Sequence, residues 1–150
     1  MKDTLASLLI ALGLLTLISP APHPARQAKA QSLVDRSQPL SGPGVFFRVN
    51  EYRADNDLST LETSEHTCYV AQLRSEEIAT DWSHDGFWKY TKGKSSMGEN
   101  LAKGFVTDQA LLEGWINSPV HKAILDNKTY DHGCVRCTDG FCALSAEDIF

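Results

Sequence analysis

Apolar residues recur at helical spacing in several stretches of this chain, and a turn signal divides two strand-like stretches near its end. Val45, Val49 and Tyr52 share one face of a helix predicted over 45–56. Leu58 to Leu61 reads as a short extended link. Thr63 or Ser64 can cap a second helix running to about Thr80, with Cys68, Ala71, Ser75 and Ile78 on its inner stripe. Residues 86–97, with Gly86, Gly93 and paired serines, read as loop. Thr107 caps a third helix to about Ile116, which buries Ala110, Leu111 and Trp115. Ser118-Pro119 starts a fourth, because serine before a first-turn proline is a helix start signal. Asp139-Gly140 is a two-residue hairpin turn between strands over 132–138 and 141–147.

That turn bears on the cysteines, Cys68, Cys134, Cys137 and Cys142. It sets Cys137 opposite Cys142 in a non-hydrogen-bonded pair, close enough to bridge. Cys134 lies three residues from Cys137 and so points to the opposite sheet face, where it can reach Cys68 on a packed helix. An even cysteine count in an exported chain fits two such disulfides. The alternative is a zinc site built from Cys134-x-x-Cys137 and Cys142.

Export is suggested by the N-terminus. Thr4 to Ile18 carries no charge and is rich in leucine, too short for a comfortable membrane span of about 20 residues but suited to a signal peptide. Ala28-Lys29-Ala30 is a cleavage candidate before Gln31, with a cut nearer Ala21 as the alternative. The expected organisation is a signal peptide or N-terminal anchor over 1–30, a flexible spacer over 31–43 and a folded domain over 44–150. The protein is then extracellular, or membrane-anchored on the outer face if the segment is uncleaved. Without residues 1–30 the chain keeps 11 of its 14 basic and 18 of its 19 acidic residues, a net charge of −7. This argues against nucleic acid as a partner, and against anionic membrane surfaces.

The candidate chemistry is spread over three segments. His84 lies in a turn, Glu99 follows a glycine at a strand or half-buried edge, and His121 falls in the first turn of the fourth helix. The positive potential there disfavours imidazolium and leaves the neutral ring that a metal takes. Two histidines and a carboxylate suit zinc or another divalent ion with open water positions. In this reading His84 and His121 are the ligands and Glu99 orients a water. Each has a plainer alternative: a turn residue for His84, a held or exposed side chain for Glu99, a surface residue for His121. Asp85 reads as a turn cap and Ser118 as a helix cap. His66 is expected to face solvent, His132 to be structural and His23 to lie in the flexible, proline- and alanine-rich stretch that reads over 19–43. No Gly-x-Ser-x-Gly elbow or phosphate-binding glycine loop is present.

Val49-Asn50-Glu51-Tyr52-Arg53, Ser83-His84-Asp85-Gly86-Phe87, Gly98-Glu99-Asn100-Leu101-Ala102 and Trp115-Ile116-Asn117-Ser118-Pro119-Val120-His121 resemble, in order and spacing, the motifs of the CAP superfamily. These are the cysteine-rich secretory, antigen 5 and pathogenesis-related proteins, and the likeness is to their short bacterial, SCP-like branch. The resemblance implies an α+β fold, an α-β-α sandwich with a small antiparallel sheet between helical layers. It implies a cleft where His84 and His121 meet Glu99 and where a divalent metal binds. Animal and plant members carry a second glutamate where this chain has Ser118. Glu113 stands five residues earlier, about 140° round a helix, and does not replace it. That loss weakens a two-carboxylate mechanism. The expected function is therefore binding of a lipid, a cell-wall fragment or a protein. The alternative is a metal-dependent hydrolase or peptidase with Glu99 as general base.

Overall fold

The computed structural model describes residues 38–92 and 96–149. The expected signal segment, His23, and the spacer as far as residue 37 lie outside the described residues. Among the described residues five helices and three strands follow in the order α1 (Gly42–Asp55), α2 (Glu65–Glu77), α3 (Asp85–Tyr90), β1 (Met97–Lys103), α4 (Asp108–Ile116), α5 (Pro119–Leu125), β2 (His132–Thr138) and β3 (Phe141–Glu147).

Packed structure begins ahead of the expected boundary at Gly44. Pro39 bridges Thr107, and Leu40 N–H donates to the Val106 carbonyl at 3.1 Å. Ser41 caps α1 by accepting from Gly44 N–H, and Pro43 sits in the first turn, so the helix starts at Gly42. The motif in α1 ties elements together. Asn50 exchanges two hydrogen bonds with the Leu61 backbone, at 3.0 and 2.8 Å. Tyr52 donates its hydroxyl proton to Asp126 at 2.7 Å. Arg53 is wholly buried and donates to the carbonyls of Ser59, Leu125, Asn127 and Tyr130, which replace the water it has lost.

α2 starts where Ser64 and Thr67 form a reciprocal capping box. Its inner face holds Ala71, Ser75 and Ile78 as expected, and adds Thr67, Val70 and Arg74. Cys68 stands half-buried at the margin of that face. Part of the expected loop over 86–97 is helical. Phe87 is buried against Val70 and Met97, and that anchor winds residues 85–90 into α3.

The strands form an antiparallel sheet in the order β1-β3-β2. Asp139 (φ 50°) and Gly140 (φ 82°) make the tight turn between β2 and β3, and Cys137 faces Cys142 across it with Cα atoms 4.1 Å apart. On one sheet face, Leu101 and Ala143 pack with Ile78 of α2, and Met97 with Val70. On the other, Ala102, Val135, Leu144 and Ala146 pack with Val45, Val49, Leu111 and Trp115 of α1 and α4. The result is an α+β three-layer sandwich. Disulfides join Cys68 to Cys134, pinning α2 to β2, and Cys137 to Cys142. The zinc alternative at Cys134, Cys137 and Cys142 is thereby excluded, since every thiol it needs is in a disulfide. Among the described residues no helix is long and apolar enough to cross a membrane.

Candidate functional site

The site is organised around a buried cation that sequence reasoning missed. Arg74 projects from the inner face of α2 with no exposure. Its Nε donates to Glu99 Oε1 at 2.7 Å, one Nη donates to Glu77, and the other donates to the Ser83 carbonyl. One guanidinium thus joins α2, the turn carrying His84, and β1. Room for it exists because residue 86 is glycine: a Cβ there would meet Arg74 Nη1 and Glu77 Oε2, each at 2.1 Å.

His84 occupies the N-cap position of α3 but makes no capping bond. Its Nδ1 lies 2.6 Å from Glu99 Oε2 instead. The imidazole is 55% exposed while the Glu99 side chain is 2% exposed, so the pair runs from surface to interior. Both carboxylate oxygens are therefore engaged, one by Arg74 and one by His84. Burial pushes the Glu99 carboxyl above its ordinary range, and Arg74 and His84 pull the other way.

Adjacent strand residues point to opposite faces, and the Gly98-Glu99-Asn100 motif uses this. Glu99 serves the α2 layer. Asn100 faces the other layer, where its Nδ2 donates to the His121 carbonyl at 2.9 Å and fixes the start of α5. Gly98 leaves space for the Tyr130 hydroxyl, which would lie 2.6 Å from a Cβ. Trp115 of α4 donates its indole proton to the Leu101 carbonyl at 3.1 Å.

His121 is half-buried on α5. Burial lowers its pKa, and the charge of nearby His84 lowers it further, so the neutral ring is favoured. The structure brings His84 and Glu99 into direct contact, and it places His121 on the opposite layer within electrostatic reach. Among the described residues no three or more His, Cys, Asp or Glu side chains are placed to hold a metal ion. The donor set does not fit a zinc site with three protein ligands. Glu99 stands behind His84 Nδ1, with its other oxygen held by Arg74.

Beside the His84–Glu99 pair opens a cleft of ≈ 250 Å³ lined by Phe87, Trp88, Met97, Gly98, Val120 and Ile124. Its lips are apolar yet exposed: Trp88 on α3 is 63% exposed and Val120 on α5 is 76% exposed. The other expected residues have other partners. His66 does not simply face solvent, since its Nδ1 lies 2.9 Å from buried Glu147. His132 pairs with Asp131 at 2.7 Å, in keeping with a structural role. Asp85 donates its N–H to Ser83 Oγ rather than capping with its own side chain. Ser118 holds the N-cap position of α5 without a side-chain capping bond. Glu113 is exposed and takes a hydrogen bond from Gln109, away from the cleft.

A three-layer sandwich whose edge strand carries Glu99 against His84 defines the class. The chain belongs to the CAP (cysteine-rich secretory protein) family, whose model matches residues 46–143. It is 31% identical over 107 residues to the uncharacterized membrane protein YlbC of Bacillus subtilis, covering 63% of this chain and 31% of YlbC. A cysteine-rich secretory protein of Staphylococcus aureus shares the fold with a TM-score of 0.65 at 18% identity, over 71% of this chain and 39% of its own. An extracellular SCP-domain protein of Bacillus anthracis gives 0.64 at 22% identity, over 86% and 45%. An outer surface protein of Borrelia burgdorferi gives 0.56 at 23% identity, over 69% and 90%. The chain thus spans under half the length of YlbC and of the first two structural neighbours.

Proposed function

We propose that this chain is an exported CAP domain that binds a ligand in the cleft beside His84 and Glu99, without catalysing a reaction on it. One observation carries the reading. Glu99 has both oxygens committed, to Arg74 and to His84, while the cleft beside it keeps exposed apolar lips. A carboxylate held on both oxygens by Arg74 and His84 is fixed in place, and burial leaves it little exposed to a substrate. A binding cleft needs apolar walls and a few placed polar groups. The site meets that requirement, which favours binding over the hydrolase alternative. Export is supported by the two disulfides and by the extracellular relatives; an outer-face anchor is the alternative form, as in a membrane protein such as YlbC.

The test is binding of the apolar probe anilinonaphthalene sulfonate to the full chain. Trp88→Ala with Val120→Asp should weaken binding about tenfold or more, the loss of a large apolar contact, with the circular dichroism unchanged. Equal binding by the double variant would overturn the reading. A divalent ion on His84 and His121 is the second reading. It is favoured by the carboxylate behind His84 Nδ1, an arrangement that orients metal-binding imidazoles. Zinc titration should show stoichiometric uptake lost in His84→Ala/His121→Ala if that reading holds; no uptake at micromolar zinc would sink it.

A further inference from the structure

β1 is an edge strand, and its free edge is the floor of the cleft. The direction of each backbone group follows from the register. The two-residue turn makes Thr138–Phe141 a hydrogen-bonded pair, and such pairs alternate along an antiparallel ladder. Phe141, Ala143, Ser145 and Glu147 therefore bond to β2, whereas Cys142, Leu144 and Ala146 bond to β1. Their partners on β1 are Ala102, Asn100 and Gly98. Met97, Glu99 and Leu101 then turn their N–H and C=O groups to the outer edge. Two contacts agree with this phase. Asp148 N–H donates to the Ser96 carbonyl, continuing the inward set, and the Trp115 indole takes the outward carbonyl of Leu101.

No protein group among the described residues bonds the outward N–H and C=O of Glu99 or Met97. Both residues line the cleft, at 9% exposure for Met97 and 8% for Glu99. On one side stand Phe87 and Trp88, in the layer of α2; on the other stand Val120 and Ile124, in the layer of α5. The edge is thus walled by apolar groups from both layers. The Glu99 carboxylate oxygens are already partnered by Arg74 and His84.

We infer that the cleft binds an extended peptide, which adds as a fourth strand along Met97–Glu99. This rests on the binding-module reading and names its ligand class. An added strand supplies the donors and acceptors that the edge lacks, in matching register. Its successive side chains point to opposite faces. Two adjacent apolar residues would then meet Phe87 and Trp88 on one side, and Val120 and Ile124 on the other. The Trp115–Leu101 bond ends the open edge, so the peptide pairs over a short window. A lipid tail could fill the apolar walls, but it would leave the Glu99 amide and carbonyl unpaired.

Amide exchange of the full chain, followed by NMR, tests this. In the free protein Glu99 N–H should exchange far faster than Asn100 N–H, which pairs inward. A capped hexapeptide of threonine, valine and leucine should slow Glu99 exchange about tenfold or more, as expected for gaining hydrogen bonds. The same peptide with every backbone nitrogen methylated should not. Equal binding of the methylated peptide, or an unchanged Glu99 amide, would overturn strand addition. Lauric acid serves as the second probe. If it perturbs Trp88 and Val120 while the peptide leaves Glu99 unchanged, the cleft binds ligands but not by strand addition. If neither probe perturbs the cleft, both readings fail.

Discussion

Arg74 is a cation with no access to water, and three oxygen groups stand in for that water: Glu99, Glu77 and the Ser83 carbonyl. Removing one partner of a buried ion pair leaves the other charge stranded. Arg74→Met should therefore cost about 3–5 kcal/mol in urea unfolding, with part recovered by adding Glu99→Gln. A loss below about 1 kcal/mol would show that the pair contributes little. Gly98→Ala makes a second residue-level test. Its Cβ meets the Tyr130 hydroxyl, so it should destabilise by about 1–3 kcal/mol, and Tyr130→Phe should relieve much of that. No relief would place the strain elsewhere. His84, Glu99 and His121 were legible as candidates for one site from their motifs, whereas Arg74 was not. A hint existed: Arg74 sits three residues from Ala71 and four from Ile78, on the buried row of α2. The charge there becomes intelligible only once β1 supplies its carboxylate. His66 is similar, since its partner Glu147 lies 81 residues away.

At the scale of elements, strong local signals succeeded and weak ones failed. Ser64 and Thr107 cap helices through their side chains, and Asp139-Gly140 makes the hairpin, whereas Ser41 went unread and its helix, expected from residue 45, starts at Gly42. α3 is six residues long, too short to show a period, and its existence depends on Phe87 finding Val70 and Met97. α5 carries a pH consequence through His121, whose pKa lies below the ordinary 6.5 because of burial and then His84. Below that ordinary value the unfolded chain takes up a proton that the folded chain resists. His121 thus contributes stability above about pH 6.5, lost as pH falls from there toward the lowered value. Thermal midpoints measured from pH 7 downward should fall more steeply for the natural chain than for His121→Asn. Parallel curves would show that the environment of α5 does not act on this ring.

Across the whole molecule, the disulfides differ in what they enclose. Cys68 and Cys134 are 66 residues apart in sequence, and Cys137 and Cys142 are 5 apart. Loop-closure entropy assigns about 4 kcal/mol to the first and about 2 kcal/mol to the second. Paired Cys→Ala variants should follow that order in urea unfolding; the reverse order would mean that the hairpin link relieves more than chain entropy. The sandwich and a cleft at His84 and Glu99 were foreseeable from ordered motifs, but the apolar lining was not, because Trp88, Met97 and Ile124 reach it from α3, β1 and α5 and lie outside those motifs. Those walls also stand apart energetically. Arg74, Glu99 and Asn100 are interior, whereas Trp88 and Val120 are largely in water and hold little of the fold together. Two surface positions can therefore be exchanged while the frame beneath them persists. Such a domain is free to diversify its clientele at almost no thermodynamic penalty, and two relatives sharing every interior motif need not share a ligand.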